Sequence, residues 1–391
     1  WRIVETGAPD VSVDYANDID ARKTFSGFVF PKEEAGKVAR EVPPAFDSED
    51  YYAETAWNLH NLPRRTLLRH VHGTITGVNS PWLYMGALFT TFAWHNEDNY
   101  FPSVNYSHFG AAKTWYGVAG DAAPRFEAAL RQQVPERFRE DPDLLYHLVT
   151  AVSPMVLVNE GVPVVHLVQR PGDFVLTFPR AYHSGFSHGF NIGEAVNFAL
   201  SSWIPYGRTC AEIYRTVPRL SPVSLDMMLV RISSHSRRFS DAERLTLLKE
   251  LSVLREEEED NRRAMQAAGI RNSVHLRNDE DQRLDCDACL HTCYLSAVVC
   301  NCSPRRAVCL RHVDHLCSCL PARKCFVYWH SVEDLVRLCR RLAKTLPQEG
   351  PDADFIARYA TAVVPKRARE DDASSAPPPP KAARASSGSV P

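Results

Sequence analysis

The sequence predicts a β-rich core decorated by helices, then a helical segment, then a small module held by metal rather than by a large apolar centre. Three observations carry this. Residues 1 to about 205 are rich in aromatic and β-branched side chains, in short alternating runs broken by Gly, Pro and Asn. From about Thr209 to Gly269 the apolar spacing turns helical. Ten of the eleven cysteines lie between Cys286 and Cys339, nine of them between Cys286 and Cys325. The 391 residues exceed the usual size of one domain, so two folded units with connecting segments are expected.

Composition narrows the function classes. Hydrophobic residues make up 45% and charged residues 24%, as in an ordinary globular protein. The formal net charge of -2 argues neither for nor against a basic partner, because a neutral total can hide a local acidic groove suited to a basic peptide. No run approaches 18 apolar residues, so no membrane span is expected. The start, Trp1-Arg2-Ile3-Val4, is no signal peptide and lacks an initiator Met, and reads as a piece of a longer chain. Clustered thiols accompanied by histidine suit zinc in a reducing compartment better than a secreted disulfide framework.

The elements follow in order. Ala87 to Trp94 reads as a strand, as do Pro163 to Val168 and Asp173 to Phe178. Pro124 to Gln133, with Phe126 and Leu130 one turn apart, reads as a helix, as does Asp143 to Val149 with Leu144, Leu145 and Leu148. Ser240 followed by Glu243 is a capping-box signature, and Leu245, Leu248, Leu251 and Leu254 follow at helical spacing. The run Glu256 to Asp260 reads as a solvated helix face or end, with docking of basic residues of a partner as the sharper alternative. Glu333 to Lys344 is another amphipathic helix, offering Leu335, Leu338 and Leu342 to one face. After about Gln348 the apolar periodicity is lost, and a disordered tail is expected. In it Lys366-Arg367-Ala368-Arg369 is a candidate nuclear-import signal.

Two constellations carry chemistry. His95-Asn96-Glu97 closes the strand ending at Trp94, and side chains two apart on an extended chain share a face. A third donor, His183, follows the strand-like run Asp173 to Phe178. Two imidazoles and one carboxylate on one face of an octahedral Fe(II) leave three positions open, enough for a bidentate 2-oxo acid and dioxygen. Alone, His-x-Glu is a common surface triplet. The second constellation is Cys286-x2-Cys289-x3-Cys293, then Cys300-x-Cys302, Cys309-x2-His312 and Cys317-x-Cys319. Eight of these nine donors would satisfy two tetrahedral zinc ions, and spacing does not say which one is left over. His291 and His315 compete on spacing alone and are expected to pack or face solvent. A segment this short buries little apolar area, so zinc would supply much of its folding energy. Arg305, Arg306, Arg311, Arg323 and Lys324 are not arranged like a recognition helix, and sequence-specific DNA reading is not expected.

Longer motifs add a resemblance. Trp57-Asn58-Leu59-His60-Asn61-Leu62-Pro63, Pro81-Trp82-Leu83-Tyr84, Trp94-His95-Asn96-Glu97-Asp98, Lys113-Thr114-Trp115-Tyr116-Gly117-Val118 and Glu194-Ala195-Val196-Asn197-Phe198 together resemble the Jumonji C histone demethylases. The most similar branch acts on lysine 4 of histone H3, its plant-type members especially. The resemblance implies a double-stranded β-helix (jelly-roll, cupin-like) core that uses Fe(II) and 2-oxoglutarate. It implies oxidative removal of methyl groups from tri-, di- or monomethylated lysine, releasing formaldehyde, succinate and carbon dioxide. It implies His95, Glu97 and His183 as iron ligands, Lys113 paired with the distal carboxylate of 2-oxoglutarate, Asn105 bonded to the same cosubstrate, and Phe92 and Trp115 as walls. The cysteine-rich segment resembles the C5HC2 zinc finger of the same branch. That match implies Cys286, Cys289, Cys309 and His312 on one zinc and Cys300, Cys302, Cys317 and Cys319 on the other, with Cys293, Cys325 and Cys339 as non-ligands. Asn96 replaces the usual Val or Ile, Ala112 the usual Pro, and Ser187 the usual Asn, which puts methyl-state preference in question before reaction type.

The implied organisation is a segment 1–56 packing on the core, a JmjC catalytic domain at 57–205, a helical linker at 206–275, the zinc finger with its following helix at 284–346, and a tail at 348–391. The expected partner is the methylated histone H3 tail in chromatin, with no membrane, and the expected place is the nucleus. Alternatives are demethylation of another histone lysine, hydroxylation of a protein, or a noncatalytic chromatin-binding protein.

Overall fold

The computed structural model describes residues 6–7, 12–30, 51–141, 143–146, 151–276 and 283–363. The chain divides into two compact units, Trp1–Gly207 and Arg208–Pro391.

Unit 1 is built on strands β1 (Tyr15–Asp20), β2 (Trp82–Gly86), β3 (Thr91–His95), β4 (Ser103–Gly110), β5 (Lys113–Val118), β6 (Val165–Gln169), β7 (Phe174–Thr177), β8 (Tyr182–Ser187) and β9 (Asn191–Asn197). They pair antiparallel into two sheets, ordered β1-β2-β9-β4-β7 and β3-β8-β5-β6. Period-2 alternation sorts their side chains. Trp94 turns away from its neighbour His95 and packs on Phe126 of helix α1 (Ala123–Gln133), with Leu130 and Tyr182 in the same cluster. The one-turn spacing of Phe126 and Leu130 thus serves the helix face it predicts. A shorter helix, α2 (Pro154–Asn159), is capped by the Ser153 hydroxyl.

Two expected elements differ. Ala87 to Thr90 is not strand but a turn, closed by Thr90 N–H on Ala87 O at 3.2 Å, with Phe89 at φ 67°. The apolar run masks a chain reversal, because alternation is blind to a turn whose residues are themselves apolar. Asp143 to Val149 shows only one 3-10 turn, Leu144–Tyr146, and residues 147–150 lie outside the described set. At the sheet edge β6 exposes Val165 (68%) and Leu167 (44%) on one face and Val168 (39%) on the other.

In unit 2, helix α3 (Ile204–Thr216) enters from across the boundary, followed by α4 (Leu225–Ser234) and α5 (Asp241–Ala267). The capping box is present: Ser240 Oγ accepts from Glu243 N–H, and the Glu243 carboxylate accepts from Ser240 N–H at 2.8 Å. Leu248, Leu251 and Leu254 are buried as expected, but Leu247 rather than Leu245 completes the stripe. A four-stranded sheet follows, β10 (Asn272–His275), β11 (Ser296–Cys300), β12 (Ala307–Val308) and β13 (Lys324–Tyr328), in the order β10-β13-β11-β12. Helices α6 (Val332–Ala343) and α7 (Ala353–Ala360) complete the unit.

Two more expectations need correction here. Glu256 to Asp260 is not a solvated face throughout. Glu258 is 8% exposed and accepts from Arg262 Nε at 2.8 Å and Ser296 Oγ at 2.5 Å, while Arg262 lies over the Phe326 and Tyr328 rings. A buried carboxylate needs partners, and these are Arg262 one turn on in the same helix and Ser296 from farther along the chain. Helix α7 stands inside the stretch expected to be structureless: Ile356 and Tyr359 are buried, and the Tyr359 hydroxyl donates to Glu256 at 2.8 Å. Two apolar anchors in one short helix are too few to register as periodicity. The basic cluster at 366–369 lies outside the described residues. No helix among the described residues is long and apolar enough to cross a membrane.

Candidate metal centres

β3 and β8 pair so that His95 stands opposite His183, and a register shift between Phe92 and His95 turns both of those side chains toward one face. Glu97, in extended backbone just past the strand end (φ -70°, ψ 149°), points the same way two residues on. One donor atom each from His95, Glu97 and His183 lies within 4.8 Å of the other two. The His95 and His183 ring centroids are 4.2 Å apart, and His183 Nε2 is 3.5 Å from Glu97 Oε1.

Backbone carbonyls set the tautomers. His95 Nδ1 is 2.8 Å from Ala93 O and His183 Nδ1 is 3.1 Å from Ala181 O. A carbonyl only accepts, so each Nδ1 carries the hydrogen and each Nε2 keeps its lone pair for a metal. Burial, with repulsion from His183, lowers the His95 pKa to about 4. Burial alone would raise the Glu97 carboxyl, but bonding to His183, attraction to both imidazoles and the Asn197 amide hold it at about 2. At neutral pH His95 is therefore neutral and Glu97 ionised, as metal ligation requires.

Beside this triad is a lysine without a counter-ion. Lys113 is 4% exposed, and among the described residues no carboxylate pairs with it. Burial alone lowers its pKa to about 8. Its Nζ lies 5.9 Å from the Tyr84 ring centroid and above Gly193, where a Cβ would come within 3.3 Å of it. Asn105 Oδ1 accepts from Gln169 Nε2 at 3.3 Å, leaving the Asn105 amide NH2 as the end that can donate elsewhere. Trp115 Nε1 donates to Gln169 Oε1 at 2.9 Å. Phe92 lies 4.6 Å from Trp115 and 6.5 Å from His183, ring to ring. Gly185 makes that approach feasible, since a Cβ there would meet Phe92 Cζ at 2.5 Å.

In unit 2 the donors sit in turns and strand ends. Cys286 and Cys289 occupy a turn closed by Leu290 N–H on Cys286 O; Cys300 ends β11; Cys309 follows β12; His312 lies in a 3-10 segment. They gather as Cys286, Cys289, Cys309 and His312, and as Cys300, Cys302, Cys317 and Cys319, each set within 4.8 Å. In the first, Cys289 Sγ is 3.9 Å from Cys309 Sγ, and His312 Nδ1 is 3.2 Å from Cys309 Sγ and 3.7 Å from Cys286 Sγ. Tetrahedral Zn–S bonds of about 2.3 Å put sulfurs about 3.8 Å apart, so both sets are consistent with zinc sites. All eleven cysteines are free of disulfides. Cys293, Cys325 and Cys339 are buried outside both sets, His315 is exposed, and His291 is half-buried against Arg215 and Asp226.

Residues 82–198 match the model of the JmjC domain, described as a hydroxylase, and residues 286–338 that of the C5HC2 zinc finger. The chain carries a JmjC domain and a C5HC2 zinc finger. It is homologous to lysine-specific demethylases: 39% identical to lysine-specific demethylase 5B of Gallus gallus over 346 residues, 37% to JMJ17 of Arabidopsis thaliana over 355, and 36% to 5D of Homo sapiens over 348. Each match covers 88% of this chain but only 22%, 29% and 22% of the relative, so the chain spans under a third of their length.

The JmjC domain uses residues that sequence reading did not assign. Asn197 Nδ2 donates to Glu97 Oε2 at 3.0 Å and so orients that carboxylate. Tyr84 borders both Lys113 and Glu97: burial, then Asp18, Tyr15 and Glu97, push its hydroxyl well above the usual range. Both sit inside motifs already quoted and were there to be found. Gln169 had no local signal; only the register pairing of β6 with β5 puts it beside Lys113. The finger's basic residues are largely engaged: Arg306 with Asp287, Arg311 with Glu212, and buried Lys324 with Val313 O.

Proposed function

We propose that this chain binds Fe(II) through His95, Glu97 and His183, and 2-oxoglutarate through Lys113 and Asn105, and removes methyl groups from lysine 4 of histone H3. The single observation that carries the reading is the buried Lys113, a cation that no carboxylate pairs among the described residues, beside a three-donor centre. A buried ammonium calls for an anionic ligand, and a dicarboxylate joining Lys113 to the open face of the triad answers that need. When bound, the iron and 2-oxoglutarate supply oxidation of an N-methyl group, which is then lost as formaldehyde.

The chain's own residues do the rest. Asn197 holds Glu97 by a hydrogen bond, Ala93 and Ala181 fix the imidazoles, and Gly193 leaves room beneath Lys113. Phe92 and Trp115 line the site with apolar surface, and Gln169 links Trp115 to Asn105. The two sheets of unit 1 correspond in this reading to a double-stranded β-helix, with 57–205 as the catalytic domain and 1–56 packing on it. Zinc at the two clusters of unit 2 completes the finger. The choice of lysine 4, the histone tail as partner and a nuclear location rest on likeness to the demethylases and on the accompanying finger.

Mass spectrometry of trimethylated histone peptides incubated with the protein, Fe(II), ascorbate and 2-oxoglutarate tests this, with Glu97→Ala as control. Stepwise losses of a methylene mass confined to the lysine 4 peptide are expected. Loss on another lysine would discard the site assignment, and no loss from folded, metal-loaded protein would discard the reaction.

A further inference from the structure

Arg215 on α3 belongs to no cluster and no quoted motif, yet its guanidinium touches the first sulfur cluster. Its Nη1 donates to Cys309 Sγ at 3.8 Å, and its Nη2 lies 2.7 Å from His291 Nε2. That ring nitrogen is also 3.2 Å from Asp226 Oδ2 on α4, so it serves one neighbour at a time. On the other side Arg215 Nε stands 3.4 Å from Glu212 Oε1, one turn earlier on α3. The Arg215 side chain is only 14% exposed, although it is charged.

Charge counting gives the arrangement a purpose. A zinc ion with three thiolates and one neutral imidazole carries a net charge of about -1. Cys286, Cys289 and Cys309 are all buried, so water offers that excess little relief. An arginine directed at a ligand sulfur supplies a counter-charge and a charge-assisted hydrogen bond together. The two-pronged guanidinium reaches Cys309 Sγ and the non-ligand His291 at once, which a lysine ammonium on a single stem does not. Arg311 is nearby, but its guanidinium is taken up by Glu212 at 2.7 Å and Glu257 at 3.3 Å. At the second cluster Cys302 is exposed, and among the described residues no arginine or lysine donates to its sulfurs. There solvent meets the charge.

We propose that Arg215 is the outer counter-charge of the first zinc site, so that this zinc is held jointly by the finger and by helices α3 and α4. The inference rests on reading that cluster as a zinc site.

The test follows zinc leaving the full zinc-loaded chain for a chromophoric chelator, with total zinc counted by elemental analysis. The native protein should release two zinc ions in two phases, the exposed second cluster fast and the first slow. Arg215→Gln should speed the slow phase roughly 10–100-fold and leave the fast phase unmoved. Arg215→Lys, which keeps the charge but not the fork, should fall between. Arg311→Gln removes a neighbouring cation that donates to no sulfur and should speed the slow phase far less than Arg215→Gln. An unchanged slow phase in Arg215→Gln, or equal acceleration in Arg311→Gln, overturns the proposal. Should Arg215→Gln not fold, an Arg215→Lys slow phase equal to native does the same. Fewer than two zinc ions in the native chain would instead bring down the zinc reading itself, and the proposal with it.

Discussion

In unit 1 three donors stand at strand ends that keep their shape through backbone hydrogen bonds, with each imidazole fixed by a carbonyl. In unit 2 eight donors sit in turns around a four-stranded sheet, and Cys286, Cys289, Cys300 and Cys309 are themselves part of its buried core. Three donors on strand ends would leave coordination positions open on an iron ion. In each of the other two sets four donors would close on a zinc ion, beside a buried apolar cluster that includes Val298, Leu316, Phe326 and Trp329. Donor count and scaffold therefore separate a centre built for chemistry from centres built for folding.

The comparison breaks most visibly under chelation. Stripping zinc should cost unit 2 on the order of 10 kcal/mol and unfold its finger, whereas stripping iron should leave unit 1 folded. Equal losses of protected amides in both units, by hydrogen exchange, would erase the distinction. Next, Glu97→Ala should abolish turnover while shifting Tm by less than about 2 °C; a large thermal loss would make the triad structural. Lys113→Met should weaken 2-oxoglutarate binding by on the order of 3 kcal/mol, since it removes the buried side-chain cation proposed to pair with the distal carboxylate. The pH dependence has a definite sign. The Lys113 pKa is lowered to about 8, so the amine is charged and binding strong below that pH. Affinity should decline as pH rises through it, by up to about tenfold per unit. Calorimetric titrations from pH 7 to 9.5 read this slope, and a flat profile would show that Lys113 is not the anchor. The smallest effect concerns the end of unit 2. Ending the chain at Gln348 removes Ile356 and Tyr359 from their buried places and should cost about 3 kcal/mol, read as a lowered midpoint in chemical denaturation.

Much of this was readable in advance where a local rule applies. The Ser240–Glu243 capping box, the Phe126–Leu130 spacing and the strands at β6 and β7 all follow from neighbours within one or two turns. The structure gathers each proposed ligand set as the motif match implied. What escaped depends on partners distant in sequence. Glu258 is buried where Ser296 meets it, 38 positions on, Gln169 matters because β6 pairs with β5, and Arg215 reaches Cys309 across 94 positions of sequence. The Ala87–Thr90 turn escaped for the opposite reason, being local but written in residues that also suit a strand.

Strand β6 has a practical consequence. With Val165, Leu167 and Val168 exposed along an edge that pairs with no further strand among the described residues, it offers other copies of itself a ready template for stacking. Concentrated stocks should therefore lose material to aggregation faster than thermal stability alone would suggest. A single lysine at position 165 should lengthen their useful life in storage without altering the melting point.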